Sequence, residues 1–478
     1  MKTLLQEVTV TATKEKFYNK GDTLIYNAGA FMLPEGAMLD GLLEQMPGVK
    51  VQANGKITVN DNPVEGLLLN GKDVFNNNGQ LMLENLGAYM VDDVAMYNKR
   101  NRDSELMGRS VGASPYVMDV RLKREYSQGL VVNAEGGYGT EDRYLGRLFG
   151  MSYSDNLALT VYGSANNLSD ESTPGRNKDS SWTIADMGLG TVTRQQGGAT
   201  YLVKDSDDWY ELKGSVETIN RIDDTRRLTS IEWYLQPTHI HEYRWLGQCE
   251  RQFNVKTKHD WFFKFGDKAN LTVTPLFRFD RNKRNSESMS VTMTEKLERV
   301  THDGIAAIYS TDDSLKDKVL NRLKEEQTKE GTMLLARIEA SSSIKLYDGD
   351  RSGGMLKLIC WAGWNDSKND RFDRYRLAYG DSAMSDMQHH RYYKQYPNYE
   401  KSLFGEVQYV QFTSFLNMQI PVTYNFQTTK RRNTVDMYAL DRIPGYDPTD
   451  SGLDCLPSRD DYLSVLDPWE SCMVEEVS

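Results

Sequence analysis

A small α+β unit followed by an antiparallel membrane β-barrel is the predicted fold, and the chain as a whole is mainly β. Three observations predict it. Residues 38–71 pack an amphipathic helix, a Pro-Gly stop and two Asn-Gly turns into one short stretch. From Tyr116 onward, apolar and polar residues alternate with a period of two. The connections between the alternating segments are then short and long by turns.

The first unit is legible element by element. Leu39, Leu42, Leu43 and Met46 fall at i, i+3, i+4 and i+7, on one face of a helix that Pro47-Gly48 ends. Val49 and Val51 on one side, and Ile57 and Val59 on the other, flank Asn54-Gly55. That pair is a strong hairpin signal because both residues tolerate positive φ. Asn70-Gly71 closes the next apolar strand, residues 67–69. A second helix over 80–86 and a strand over 91–97 follow. Residues 98–114 are polar, rich in Arg, Asn, Asp and Gly, and read as a linker. The domains are therefore expected at 1–114 and 115–478, and two domains suit the length.

In the second domain, Leu157, Leu159 and Val161 alternate with Ala158, Thr160 and Tyr162. Leu271, Val273, Phe277 and Phe279 alternate with Thr272, Thr274 and Arg278, and Ile420, Val422, Tyr424 and Phe426 with Gln419, Thr423 and Asn425. Segments of roughly ten residues with one apolar face suit a bilayer-spanning strand, lipid outside and water inside. Short links are expected at 152–156, 205–208, 266–268, 347–354 and 413–415. Long polar loops are expected at 167–193, 220–247, 281–331, 366–401 and after Gln427. Outer-membrane barrels sort their loops by rim in this way, and a soluble sandwich has no reason to. About eleven such strands precede Phe426.

The order helix, PGV-x-V, NG hairpin, strand, NG, helix, strand resembles the plug domain of TonB-dependent outer-membrane receptors. The stretch MDVRLKREYSQGLVVNAEGGYGT is similar to the plug-to-barrel junction of Bacteroidota receptors with large barrels. The resemblance makes Pro47, Gly48, Val49, Asn54, Gly55, Asn70 and Gly71 the structural motif of a plug. It implies a barrel of twenty-two strands, of which residues 115–478 supply about half. No long apolar stretch follows Met1-Lys2-Thr3, and VEEVS falls where a long external loop belongs, so a piece of a longer receptor is expected. EVTVTA, residues Glu7, Val8, Thr9, Val10, Thr11 and Ala12, resembles the TonB box. Such a segment would add as a strand to the sheet of a TonB-like periplasmic energising protein, although an ordinary first strand of the plug has the same pattern.

The implied function is energy-coupled import of a scarce solute (oligosaccharide, peptide or metal chelate), without catalysis, the plug gating the lumen. Outer-membrane lipid, the energising protein, a surface lipoprotein and an unknown small-molecule substrate are the implied partners. The alternative reading is a passive or adhesin-like barrel that binds ligands through long external loops; a soluble β-rich enzyme would need a convergent polar pocket.

Composition narrows the field further. With 57 Lys+Arg against 68 Asp+Glu, the formal net charge of -11 argues against nucleic acid. No run of eighteen apolar residues exists for a transmembrane helix, which leaves a barrel open. Cys249, Cys360, Cys455 and Cys472 have no metal spacing and are expected as free thiols. No cofactor or metal site is expected. His239-x-His241 has the spacing of a metal pair but no third ligand nearby, and DGDRSGG from Asp348 has Ile359 where a calcium loop needs Glu. Trp182, Trp209, Trp233 and Trp245 suit either sugar stacking or a membrane interface.

Overall fold

The structure is a computed structural model, and it describes residues 15–52, 55–76, 78–170, 190–234, 239–310, 318–349, 352–380, 387–413, 418–440 and 473–477. Two sheets dominate the described residues, a small mixed one and a large antiparallel one, with a three-stranded hairpin unit beside the first.

The small domain begins with β1 (Phe17–Lys20) and β2 (Thr23–Asn27). Helix α1 (Leu39–Glu44) follows, then β3 (Val49–Val51), β4 (Ile57–Val59), β5 (Asn62–Pro63) and β6 (Gly66–Leu69). Helix α2 (Gly79–Asn85), β7 (Val91–Asn98), α3 (Arg102–Met107) and β8 (Tyr116–Leu122) complete it. The five-stranded sheet has the order β1-β2-β7-β8-β6, antiparallel except that β6 runs parallel to β8. The predicted helical face is the buried one: Leu39, Leu42, Leu43 and Met46 join Leu81, Met82, Val94 and Val120 in a single core.

The turns explain why glycine and asparagine recur. Gly48 sits at φ +81°, four residues past the end of α1 at Glu44, and the Tyr26 hydroxyl donates to the Pro47 carbonyl at 2.6 Å. Val49 pairs with Val59 and Val51 with Ile57, as the pattern around Asn54-Gly55 predicts. The connection is wider than a two-residue turn, however. Gln52 donates to Lys56 and Gly55 donates back to Gln52, with Gly55 at φ +76°. Asn54 lies outside the described residues. A two-residue turn with both φ values positive does occur one strand later, at Asn60-Asp61, and again at Asn70-Gly71.

Two sequence expectations are corrected here. Residues 98–114 are not a plain linker, because they contain α3. Its N-cap Asn101 accepts from Ser104 at 2.7 Å, Asp103 and Glu105 occupy its first turn, and Gly108 closes it at φ +66°. A boundary at 114 would also remove β8, which pairs with β7 and β6 inside the small sheet. A period of two marks a strand of either sheet, so the alternation that begins at Tyr116 could not locate the boundary.

The large sheet is an antiparallel meander in which every strand pairs with its sequence neighbours. It runs through β9 (Gly129–Tyr138), β10 (Tyr144–Tyr153), β11 (Leu157–Asn166), β12 (Gly190–Lys204), β13 (Tyr210–Trp233) and β14 (Ile240–Phe265). It continues through β15 (Ala269–Met293), helix α4 (His302–Ser310), β16 (Val319–Asp348), β17 (Ser352–Tyr379), β18 (Met387–Thr413), β19 (Met418–Ala439) and the short β20 (Met473–Val477). The short links at 152–156, 205–208, 266–268 and 347–354 fall where predicted, and that at 413–415 lies mostly outside the described residues. Two of the predicted long polar loops, 220–247 and 366–401, are mostly strand, and about half of 281–331 is, since β13 to β19 are 22 to 30 residues long; most of 167–193 lies outside the described residues. Where both faces of a ladder meet water the alternation disappears, yet the backbone pairing continues.

Contacts with the small domain fix which face is which. Asn133 (β9), Thr200 (β12), Lys213 (β13), Asp260 (β14), Thr272 (β15), Ser343 (β16), Lys357 (β17) and Gln419 (β19) all hydrogen-bond to it. Phe149 and Tyr162 extend its core into β10 and β11, and Phe412 of β18 packs on Met107. Eleven strands laid flat would span roughly 48 Å, so a sheet that touches one small domain along all of them curves around it. On the opposite face, Leu157, Leu159, Val161, Phe277, Ile338, Val407 and Phe426 are exposed. On β15 these outward apolar positions run from Leu271 to Phe279 and stop at Arg281.

Candidate functional site at the interface of plug and wall

The small domain plugs the concave side of the wall, and its charged side chains make the joint. Asp73, just beyond the Asn70-Gly71 turn, pairs with Lys213 at 2.7 Å, both side chains being only 12–13% exposed. The turn itself is held from inside the plug. Gly71 donates to the buried Asp119 at 2.6 Å, Asn70 accepts from the Leu122 amide, and the Lys99 ammonium donates to the Gly71 carbonyl. Asp73 is thus presented from a rigid point.

Helix α3 supplies the second set. The Arg102 guanidinium lies 2.9 Å from Asp260 and 3.6 Å from Glu211, donates to Thr272, and stacks over Phe262 at 4.3 Å. Asp103 turns the other way, accepting from Ser343 at 2.6 Å and Lys357 at 2.8 Å. Arg109, after the helix, pairs with Asp348 and donates to the Gly349 carbonyl. Three charges of one short segment therefore clamp five consecutive strands, β13 to β17. A cavity of about 780 Å³ runs along this joint, with Lys99, Arg102, Lys204, Lys264 and Lys345 on its walls. Lys204, Lys264 and Lys345 stand next to short links, so the joint lies at the short-link rim. Ion pairs bordering a cavity separate at lower cost than buried ones, because water reaches each charge as its partner leaves.

Behind the joint, β7 and β8 carry Asp93, Tyr97, Asp119 and Arg121 together. Burial pushes the Asp93 carboxyl up; Arg121 at 3.5 Å opposes this, and the charges of Asp92 and Asp119 reinforce it. One Asp93 oxygen has no hydrogen-bond donor. Burial also raises the Tyr97 phenol, with Asp119 adding to the effect.

Sequence reading found the scaffold of this site and not its charges. Pro47, Gly48, Val49, Gly55, Asn70 and Gly71 shape the plug, and of these Asn70-Gly71 stands next to the joint. Residues 7–12 lie outside the described residues. Asp348 of the DGDRSGG stretch is the partner of Arg109, while Asp350 and Arg351 lie outside the described residues. His241 is buried and stacked on Tyr243, whereas His239 lies near Glu232. Trp209 sits at the short-link rim against Phe263, away from the long-loop end. Cys249 and Cys360 are free thiols; Cys455 and Cys472 lie outside the described residues.

No family model matches the chain, and no curated protein matches it. Solved structures share its course at low identity. The ferric yersiniabactin uptake receptor FyuA from Yersinia pestis is 10% identical, with 87% of this chain and 75% of that one covered and a TM-score of 0.21. The ferric-catecholate import receptor Fiu from E. coli K12, in its closed form, is 9% identical over 90% of this chain and 67% of that one, at 0.30. The copper transporter OprC is 8% identical over 88% and 76%, at 0.20. Scores of this size leave the functional reading to the chain's own geometry.

Proposed function

We propose that the chain is the plug and part of the barrel wall of a TonB-dependent outer-membrane receptor, an energy-coupled importer of a scarce solute. The observation that carries this reading is the joint itself: a small domain seated in the concave face of a membrane-type sheet, held by charged pairs of which those of Asp73 and Arg102 border a cavity. On this reading, force applied at residues 7–12 is passed through the plug to α3, the pairs of Arg102, Asp103 and Arg109 separate, and the plug rearranges to open a path. No bond of the solute changes. The outward apolar band on β15 spans roughly 20 Å once strand tilt is allowed for, close to the roughly 25 Å of an outer-membrane hydrocarbon belt. The sequence motifs add the Bacteroidota type, a TonB-like partner and a surface lipoprotein; the solute stays open among oligosaccharide, peptide and metal chelate.

The test is partner capture together with detergent dependence. The full chain in detergent should bind the periplasmic domain of a TonB-like protein, and deletion of residues 1–14 should abolish binding while leaving the circular dichroism spectrum intact. Binding that survives the deletion overturns the role given to residues 7–12. A monodisperse chain without detergent overturns the membrane placement.

A further inference from the structure

Beyond the apolar band, the outer face of the wall carries a built cavity. In the connection between β15 and β16, α4 folds back over the sheet, and its Ile305 and Ile308 are buried with Tyr243, Met289, Val291, Met293 and Val319. Asp260 of β14 meets the plug, so the odd-numbered residues of that strand, Tyr243 and Trp245 among them, share the outer face with the exposed Phe253. On β15, Met289, Val291 and Met293 share the parity of the exposed Phe277, opposite to Thr272 at the plug. Beside this cluster opens a cavity of about 760 Å³, lined by Trp245, His302, Asp224, Arg226, Glu287 and Phe372 among others. The Trp245 ring lies across Gly247, where a Cβ would come within 2.6 Å of it, and His302 props it at 4.4 Å between ring centres. The aromatic wall is therefore fixed before any ligand arrives.

Height selects the occupant. Charge begins on the outer face at Arg281, which pairs with Glu330 at 2.7 Å. Glu287 lies six residues further along β15, roughly 20 Å along the strand and roughly 15 Å higher after tilt. A phospholipid headgroup layer ends roughly 5–7 Å beyond the hydrocarbon. A lipid that reaches the cavity needs a headgroup several units long. The lining matches a saccharide. The apolar C–H face of a pyranose packs on the negative face of an indole ring, carboxylates at Asp224 and Glu287 accept from hydroxyls, and Arg226 donates to them.

We propose that this cavity binds the saccharide headgroup of an outer-leaflet glycolipid, on the outer wall and apart from any lumenal solute site. The proposal rests on the membrane placement above, whose failure shows separately as solubility without detergent. The test uses the full chain in detergent, with two probes: core oligosaccharide freed of lipid, titrated by calorimetry, and rough-type lipopolysaccharide in nanodiscs, with phosphatidylcholine nanodiscs as the control. Both saccharide probes should bind. Trp245→Ala and Arg226→Ala should each weaken binding tenfold or more; Arg226 is 77% exposed, so its removal leaves the fold intact. Equal affinity in the variants, or binding to neither probe, overturns the site. Binding of the free saccharide but not of the lipopolysaccharide overturns the leaflet as its source.

Discussion

Gly55→Val puts the plug scaffold to a quantitative test, because two separable penalties fall on one residue. Gly55 stands at φ +76°, where a side chain costs about 1–2 kcal/mol and a β-branched one more. A Cβ there would also lie 3.0 Å from the Gln80 Cβ and 3.2 Å from the Gln80 amide nitrogen, in the first turn of α2. Backbone cannot swing aside as a side-chain tip can, so crowding adds about 1–3 kcal/mol. Together, a loss of about 2–5 kcal/mol is expected. Gly71 supplies the control, since at φ +78° it has nothing within 4 Å of an added Cβ. Gly71→Ala should cost only the backbone share, about 1 kcal/mol, and Gly55→Ala should exceed it by at least that much again. The assay is urea unfolding of fragment 1–128, followed by far-UV circular dichroism. If Gly55→Ala is no more destabilising than Gly71→Ala, the packing of the hairpin against α2 is wrong.

Three further outcomes are expected. Fragment 1–128 should unfold cooperatively while 1–114, which lacks β8, should not, as thermal scans of the two will tell. Asp103→Ala, Lys357→Ala and their double variant should show a coupling of about 1–2 kcal/mol in urea unfolding of the detergent-solubilised chain, the pair being 18% and 28% exposed; additive losses would sever the contact. Asp93 sets a pH dependence: with its folded pKa raised above the unfolded value, the native plug binds more protons, and its contribution to stability is lost as pH climbs from about 4 through the folded value. Asp93→Asn should therefore be more stable than the native plug at neutral pH and should flatten that decline in melting temperature; a variant less stable at pH 7 contradicts the burial of this carboxyl.

Much of the scaffold was legible because its signals are local. An Asn-Gly pair, a Pro-Gly stop and an i, i+3, i+4, i+7 stripe each act within a few residues. Helix α3 carried an equally local signature, Asn101 at the N-cap, acids in the first turn and Gly108 at the end, but its polar composition hid it. The joint was illegible for another reason. Arg102 and Asp260 stand 158 residues apart, Asp103 and Lys357 254, and nothing in either neighbourhood announces the other. The strand extensions were misread as loops because alternation reports a difference between two faces, and on β15 that difference ends with the outward apolar positions at Phe279.

The register irregularities of the wall show where its length can change. They fall at Thr292/Met293, Ser367/Asn369 and Gln395/Tyr399, all beyond the outward apolar band, and at Lys345/Tyr347, beside a short link. Between Leu271 and Phe279 the pairing with β16 runs unbroken. On the proposed membrane placement this band lies in hydrocarbon, where an extra residue would strand an amide and a carbonyl with no water to take them and would swap the two faces at every position beyond. Above the band, water accepts the stray groups and a bulge restores the parity. Drift in this wall is thus confined by solvent to its wet ends: one-residue insertions at 283–293 or 366–400 should be absorbed where the same insertion at 271–279 abolishes assembly.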